Sequence, residues 1–380
     1  MKDKIKDASS AILTFLIIYG VSATFFFPLL AALFCVKIIE VCGGWPVGHI
    51  TAGVLCVAYF YRSYGGRPEK KSGRIWLNLN KWWTLSHGYF PVKLKVWDGT
   101  SCVEVPSQAH KKALPAQFIL ALHPHGPFPL SASVLMPQLA RFGAPLGDLF
   151  ASVRFAAASA VFALPVVRDM YLSLGCIEAG RHVLTRAVGK GLSIAILPGG
   201  EQEQLLVCPD SSPYEDVVPP RDGLFRLAIA NGVPLVPAFS FGERRAFTAS
   251  NFLLPFRLRL VQRHRIGVPW AWGRHKWFPF VPHPTPVTIV IGKPLPLVTA
   301  ATSPGMVGAS VPSIGKGSSS SSSSGFVGNS DGDKAAVAAL RARYLSAVDE
   351  LFEAHKGSDE VAKTKTLRWV ERPGLSGKGD

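Results

Sequence analysis

Residues 118–126 read Phe118-Ile119-Leu120-Ala121-Leu122-His123-Pro124-His125-Gly126, an apolar run that ends at two histidines, a proline and a glycine. A short apolar run bounded by turn residues is typical of a buried strand. In α/β domains the sites lie on loops that follow the carboxyl ends of strands. We therefore expect a strand over 118–122 and a functional loop immediately after it.

Strand and helix patterns alternate on both sides of this stretch. Apolar runs of strand length cover 161–167, 192–197, 234–241 and 287–291. Amphipathic stretches at helical spacing cover 132–142, 177–188 and 224–231. This alternation predicts an α/β fold in which helices flank a mixed, partly parallel sheet.

Two further strand ends carry unusual residues. Pro198-Gly199-Gly200-Glu201-Gln202-Glu203 follows the run at 192–197, and Phe241-Gly242-Glu243 closes the run at 234–241. Backbone amides of a tight Gly-Gly turn can bind an oxyanion or a phosphate, and Glu201 or Glu203 can orient a histidine. A plain turn with solvated glutamates is the alternative for this segment taken alone.

The histidine pair is the feature that points most directly to chemistry. Imidazole exchanges a proton near neutral pH, so His123 or His125 can act as a general base, while Gly126 lets a substrate approach closely. A metal site is a rival interpretation, but no third group of ligands at suitable spacing accompanies the pair, and we expect no metal. A structural role, in which both rings bond to loop carbonyls, is the other alternative.

The charge balance predicts an anionic partner, because 41 Lys and Arg against 25 Asp and Glu give a formal net charge of +16. Residues 244–276 mix basic and aromatic side chains, which suits either single-stranded nucleic acid or an anionic lipid surface. We favour a lipid bilayer and expect no nucleic acid, because the N-terminal segment has a membrane signature of its own. The six cysteines form no CxxC pair, so neither a zinc site nor a disulfide framework is indicated.

The N-terminal segment predicts a membrane hairpin. Residues 11–36 form an apolar run free of charged side chains, longer than the roughly 20 residues of a spanning helix, and 47–61 form the return arm. A cleaved signal peptide is the weaker alternative, since a second apolar stretch follows the first. Basic residues flank the hairpin, so both of its ends are expected to face the cytosol.

The remaining chain divides by composition. Residues 303–333 are of low complexity and include seven consecutive serines at 318–324, which is typical of a flexible linker. Beyond them, apolar residues at helical spacing predict an amphipathic helix that packs back on the domain. The expected segments are a cytosolic N-terminus (1–10), a transmembrane hairpin (11–61), a catalytic domain (62–300), a Ser/Gly-rich linker (301–333), the amphipathic helix (334–356) and a flexible tail (357–380).

Six sequence blocks in this order carry a family resemblance. They are Tyr89-Phe90-Pro91, His123-Pro124-His125-Gly126, Pro165-Val166-Val167-Arg168-Asp169 with Gly175, Gly199-Gly200-Glu201-Gln202-Glu203, the segment 221–232, and Val236-Pro237 with Phe241-Gly242-Glu243. With these blocks the chain resembles the type-2 acyl-CoA:diacylglycerol acyltransferases and their monoacylglycerol and wax-ester relatives. The resemblance implies a glycerolipid-acyltransferase-like fold.

The resemblance also implies a reaction and its participants. A fatty acyl group would pass from acyl-CoA to the free hydroxyl of diacylglycerol and form triacylglycerol, with acyl-CoA as co-substrate and no bound cofactor. Monoacylglycerol and long-chain alcohols are alternative acceptors, and a non-enzymatic membrane lipid-binding protein is the alternative of another class. The implied location is the endoplasmic reticulum membrane and lipid droplets, with the catalytic domain in the cytosol, and a homo-oligomer is left open.

The expected site residues follow from the same blocks. His123, His125 and Glu203 are the expected catalytic residues, and Gly126, Gly199, Gly200, Arg168, Arg221 and Arg226 are expected to bind substrate. The arginines would meet the anionic part of acyl-CoA, although Arg221 and Arg226 suit solvated helix positions equally well. The wider superfamily pairs its histidine with an aspartate in a His-x4-Asp motif, which this chain lacks, since Phe128 and Leu130 occupy those positions. We therefore expect Glu203 to supply the carboxylate.

Overall fold

A computed structural model of the protein describes residues 27–44, 46–65, 91–104, 114–131, 153–173, 175–264, 266–274, 282–297 and 331–371. The strands are β1 Val92–Trp97, β2 Cys102–Glu104, β3 Ile119–His123, β4 Arg154–Ala157, β5 Cys176–Glu178, β6 Ile194–Ile196, β7 Tyr214–Val217, β8 Leu235–Phe241, β9 Thr248–Ala249, β10 Ala271–Trp272, β11 Val287–Ile291 and β12 Thr366–Trp369. The helices are α1 Phe27–Gly43, α2 Val47–Tyr64, α3 Ser159–Ala163, α4 Val167–Ser173, α5 Arg181–Gly189, α6 Gly200–Glu203, α7 Asp222–Asn231, α8 Leu254–His264 and α9 Asp331–His355. The helix predicted at 132–142 lies outside the described residues, as does most of the linker.

The main sheet has eight strands in the order β2-β1-β11-β8-β3-β6-β4-β5. Strands β8, β3, β6, β4 and β5 run parallel to one another, while β11 is antiparallel to β8 and β1 is parallel to β11. The predicted α/β fold with a mixed sheet is confirmed. Because β3 lies between β8 and β6, the loops after these three strands meet at one edge.

Apolar clusters cover both faces of the sheet, and their members alternate along β3. Leu120 and Leu122 belong to one cluster, whereas Ile119 and Ala121 belong to the other, which includes residues of α5, α7 and α9. Every residue of β3 and β8 is buried. Strands covered on both faces consist of nearly continuous apolar residues, and for this reason the apolar runs of β3 and β8 could be recognised in the sequence.

The strand predicted at 161–167 is wrong. Helices α3 and α4 occupy this region, joined by a turn in which Val166 has φ +66°. The neighbouring strands are instead the short β4 and β5, and β5 includes the first residues of the helix predicted at 177–188. A short buried apolar run has no periodicity that separates a strand from a helix, so only the packing resolves it.

The C-terminal helix α9 lies on one face of the sheet. Its apolar positions Val337, Leu340, Tyr344, Val348 and Leu351 are all buried. After it, residues 366–369 form β12, which pairs in parallel with β7. Ion pairs described below connect these two strands to the rest of the domain. The flexible tail predicted for 357–380 is therefore wrong for 357–371, because long-range strand pairing orders this segment.

Helices α1 and α2 form a helical hairpin with a close contact near its turn. A side chain on Gly43 would place its Cβ 2.6 Å from Cα of Gly48, so both glycines are needed for this approach. In the part of the chain that the structure describes, no helix is both long enough and apolar enough to cross a bilayer. Residues 11–26 of the predicted first span lie outside that part, and the membrane hairpin stays a prediction.

Candidate active site

The buried carboxylate of Glu203 binds the loop after β3. Glu203 lies on α6, directly after the Gly-Gly turn that follows β6. Its Oε1 accepts from Nδ1 of His123 at 3.1 Å and from the backbone N–H of Val218 at 3.1 Å, and its Oε2 accepts from the backbone N–H of His125 at 3.2 Å. One carboxylate thus binds both histidines, one through its ring and one through its backbone.

Glu203 is ionised in this setting. Burial by itself would raise the pKa of its carboxyl, but the charge of His123 and its hydrogen bond, with the charges of His125 and Arg244, lower that pKa to about 2. The carboxylate can only accept hydrogen bonds, so Nδ1 of His123 carries the proton that lies between them.

The Gly-Gly turn makes room for this carboxylate. A Cβ on Gly199 would lie 2.3 Å from Cδ of Glu203, a distance that atoms cannot adopt. Gly200 has φ +58°, in the left-handed region that favours glycine. Its N–H donates to the carbonyl of Leu197, so this amide is not available as the predicted anion-binding donor.

The two histidines have different surroundings. The His123 ring is wholly buried between the rings of Tyr344 and Trp369, at centroid distances of 6.1 and 5.7 Å. His125 lies beyond the end of β3, with Nδ1 2.9 Å from the carbonyl of Gly126 and Nε2 2.8 Å from the carbonyl of Gly200. Of these two contacts, the one between Nε2 and Gly200 is the less buried.

Both ring nitrogens of His125 face backbone carbonyl oxygens. A neutral imidazole has one N–H, so it can donate to only one of the two facing carbonyls, whereas an imidazolium donates to both. Gln204 reinforces the loop, because its side-chain amide donates to the carbonyl of Pro127 at 2.6 Å. These contacts hold the ring of His125 and its loop in place.

A second carboxylate lies on the other side of the loop. Glu243 follows β8, is 1% exposed, and its Oε1 lies 3.5 Å from the backbone N–H of Gly126. Burial raises the pKa of this carboxyl, with the hydroxyl of Ser131 and the charge of His125 acting against it. The sequence placed Glu243 at a strand end but gave it no role, because nothing local signals its burial.

Comparison with known proteins identifies the family of the chain. Residues 49–306 match the family model described as Diacylglycerol acyltransferase. The chain belongs to the diacylglycerol acyltransferase family. The resemblance in the six sequence blocks is thereby confirmed, and the family consists of acyl-CoA acyltransferases.

Individual relatives carry different acceptor names. Diacylglycerol O-acyltransferase 2-like protein 6 of Mus musculus is 27% identical over 347 residues, which cover 85% of this chain and 86% of that protein. Diacylglycerol O-acyltransferase 1 of Eremothecium gossypii is 30% identical over 70% of this chain and 56% of that protein. Acyl-CoA wax alcohol acyltransferase 2 of Homo sapiens is 25% identical over 86% of each chain.

In this acyltransferase Arg168 connects the N-terminal hairpin to the catalytic domain. The buried guanidinium donates from Nε to the carbonyl of Ser63 at 3.2 Å and lies 4.9 Å from the ring centroid of Tyr64. Its neighbour Asp169 accepts from the hydroxyls of Tyr59 and Ser63 at 2.5 and 2.8 Å. The Pro-Arg block is therefore the joint of the hairpin, and the contact of Arg168 with acyl-CoA stays a prediction.

The other predicted arginines lie at the start of α7 and on it. Arg221 directly precedes α7 and follows Val218, the residue whose amide binds Glu203. Arg226 is half-buried more than one turn further along the helix. The structure thus places Arg221 three residues after the amide that binds Glu203 and Arg226 eight residues after it.

A buried ion network supports the site from the C-terminal side. Nη1 of Arg244 donates to Oε1 of Glu215 at 2.8 Å, and Nζ of the buried Lys365 lies 3.5 Å from Oε2 of the same glutamate. Burial alone would lower the pKa of Arg244, but Glu215, Cys208 and Glu203 raise it. Sequence reasoning missed this network and Trp369, because their partners are far away in the chain.

No group of three or more His, Cys, Asp or Glu side chains among the described residues is arranged to hold a metal ion.

Proposed function

We propose that this acyltransferase transfers a fatty acyl group from acyl-CoA to the free hydroxyl of diacylglycerol and forms triacylglycerol, with His125 as the general base. One observation carries the assignment of the base. His125 lies on the loop at the carboxyl edge of the sheet, with its backbone held by Glu203, and is 5% exposed, whereas the ring of His123 has no exposed surface. A base has to reach the hydroxyl from which it takes a proton.

The reaction is a direct transfer. Nε2 of neutral His125 accepts the proton of the acceptor hydroxyl, and the oxygen attacks the thioester carbonyl carbon. The tetrahedral intermediate then breaks its carbon–sulfur bond, and the coenzyme A thiolate takes the proton from the imidazolium. The carbonyl of Gly126 accepts from the Nδ1–H and holds the ring, and the acceptor hydroxyl takes the place beside Nε2 that the carbonyl of Gly200 has in this structure. His123 and Glu203 are positioning residues, because they act through the loop and not on the substrate.

The bilayer supplies the acceptor, and two exposed apolar surfaces support this part of the proposal. One is the α1–α2 hairpin, on which Phe34, Val41, Val54 and Val57 are more than half exposed. The other, named the aromatic patch, consists of Phe252, Leu253, Phe256, Ile266, Val268 and Trp270. Contiguous exposed apolar residues are typical of interaction surfaces, and basic residues of α8 beside the patch suit anionic lipid.

The aromatic patch adjoins the site. A Cβ on Gly267, between two patch residues, would lie 2.3 Å from Oε1 of Gln204, the residue directly after α6. An acceptor lipid that leaves the bilayer at the patch therefore enters beside the turn that holds Glu203. Residence in the endoplasmic reticulum membrane with a cytosolic catalytic domain, and on lipid droplets, is the location that fits these substrates.

The test is acyl transfer by membranes that contain the protein. Labelled oleoyl-CoA is supplied with diacylglycerol, monoacylglycerol, a long-chain alcohol or lysophosphatidate, and His125→Asn is the inactive control. We expect triacylglycerol from the wild-type protein alone. Transfer only to a long-chain alcohol, the acceptor class named in the wax alcohol relative, would replace diacylglycerol as the substrate. No transfer to any acceptor would favour lipid binding without catalysis.

A further inference from the structure

A cleft outside the histidine loop lies at the amino ends of β1 and β11. It has a volume of about 300 Å³ and is lined by Pro91, Lys93, Lys95, Pro286, Thr288 and Ser358. Strand β11 is antiparallel to β8, so its amino end lies at the same edge of the sheet as the carboxyl ends of β8 and β3. The cleft and the histidine loop therefore share one edge.

The cleft is cationic and rich in hydrogen-bond donors. Lys93 is exposed, and Nζ of Lys95 lies 3.4 Å from the hydroxyl of Ser358. Among the described residues neither lysine forms an ion pair, although Glu104 is the neighbour of Lys95 in the register of β2. Asp359, the carboxylate next to Ser358, is engaged by Arg245. Two ammonium groups and two hydroxyls, with no carboxylate among the residues that line the cleft, favour a phosphate ligand.

The spacing between the cleft and the histidines can be read from the strand register. Lys93 pairs with Thr288, Thr288 with Phe241, and Phe239 with His123. Three strand spacings across the sheet and two residues along it give a backbone distance from Lys93 to His123 of about 16 Å.

Coenzyme A has a matching span between its reactive and charged ends. Its thioester sulfur is separated from the first phosphorus by about thirteen bonds, and at the extension of a peptide chain this corresponds to about 15 Å. We propose that this cleft binds the phosphate groups of acyl-CoA while the thioester lies beside His125, an inference that rests on the proposed function. It supplies a cationic contact in addition to the one predicted for Arg168.

Gly242 lies where the end of β8 meets the cleft. This residue has φ +89°, and a Cβ there would lie 2.2 Å from the carbonyl oxygen of Pro286 and 3.3 Å from Nη2 of Arg245. The end of β8 therefore lies flush against the wall of the cleft. Glu243 follows at once, with its Oε1 3.5 Å from the backbone N–H of Gly126, so the end of β8 contacts both the cleft and the histidine loop.

The experiment compares Lys93→Ala/Lys95→Ala with Arg186→Ala/Lys190→Ala, which removes the same charge at the C-terminal end of α5, beside β5 and β6. We expect the first variant to raise KM for oleoyl-CoA about tenfold or more, with kcat little changed, since a charge-assisted hydrogen bond contributes about that factor. An oleoyl thioester of N-acetylcysteamine, which has no phosphate, should be used equally by all three proteins. Lys93→Ala alone, at an exposed position, should show part of the effect.

A binding measurement separates this inference from the proposed function. Adenosine 3′,5′-bisphosphate, the nucleotide part of coenzyme A, is titrated into the detergent-solubilised protein by equilibrium dialysis. Binding that is lost only in the Lys93/Lys95 variant supports the cleft even if no acyl transfer is seen. Unchanged binding, or an equal change in KM for both thioesters, overturns it.

A vesicle measurement distinguishes a nucleotide from a lipid headgroup. The same variants are sedimented with vesicles of phosphatidylcholine and phosphatidic acid. We expect the Lys93/Lys95 variant to bind these vesicles like the Arg186/Lys190 variant. Selective loss of vesicle binding with unchanged bisphosphate binding would assign the cleft to a lipid headgroup and overturn the inference.

Discussion

The ring of His123 donates a hydrogen bond to the carboxylate of Glu203 over 3.1 Å, and neither side chain is exposed to solvent. The two residues are 80 positions apart in the chain. Because Glu203 also binds the backbone of His125, the buried pair sets the position of the loop that carries the more accessible ring. The function of His123 is thus separable from that of His125 by experiment.

Asparagine substitutions separate the two histidines. The side-chain amide of asparagine can replace the Nδ1–H of histidine as a donor but cannot act as a base. We expect His125→Asn to lower kcat by about 10²–10⁴-fold, the usual cost of losing a positioned base. His123→Asn should retain a large part of the activity, because it can still donate to Glu203. Reversed activities of the two variants, measured with matched expression, would make His123 the base.

Glu203 makes the stability of the domain sensitive to acid. The pKa of its carboxyl is about 2 in the folded protein against 4.5 as the ordinary value. A lowered folded pKa contributes stability above pH 4.5 that is lost as the pH falls from about 4.5 towards 2, in total about 3 kcal/mol. Urea unfolding between pH 3 and 7 should show about 2 kcal/mol of this loss in the wild-type protein and not in Glu203→Gln.

Asp98 provides the control for that measurement. Amides of Ser101 and Thr100 and the hydroxyl of Ser101 lower the pKa of this carboxyl to about 2 as well, but Asp98 lies in an exposed turn. Solvent screens exposed charges, so Asp98→Asn should leave the acid dependence nearly unchanged. A larger effect of Asp98→Asn than of Glu203→Gln would contradict the assignment.

Substitution of Gly199 tests whether Glu203 needs the space above the turn. Gly199 has φ −66°, which any residue adopts, so Gly199→Ala introduces only the clash with Glu203. We expect activity to fall about tenfold or more, because displacement of a positioning group by about 1 Å has costs of this size. Gly223→Ala is the matched control, since a Cβ in that helix meets nothing within 4 Å, and it should stabilise the protein slightly.

Glu215 should be needed for folding and not for chemistry. Its carboxylate neutralises Arg244 and Lys365, both buried, and Glu215→Gln would leave these charges uncompensated. We expect a loss of about 3 kcal/mol in the free energy of unfolding. Asp216 lies on the same strand as Glu215, and Asp216→Asn breaks its exposed ion pair with Arg368 of β12. This variant should have a smaller effect. Equal losses in the two variants would show that burial of the network contributes little.

The sequence by itself determined the features that depend on neighbouring residues. The strands at 118–122, 234–241 and 287–291, the helix at 224–231 and the three loops at strand ends are all visible as local patterns of apolar, turn and polar residues. The assignment of Glu203 as the partner carboxylate also came from the chain, through its place in a family block. It agrees with the contact in the structure.

Only the tertiary structure decided which distant segments meet. It placed helices at 159–173 where a strand was predicted, made Arg168 the joint of the hairpin, and paired β12 with β7 although they are about 150 residues apart. It also buried the ring of His123 completely against Trp369, while His125 kept an exposure of 5%. Burial and long-range pairing depend on the path of the whole chain, and the same local pattern is compatible with several such paths.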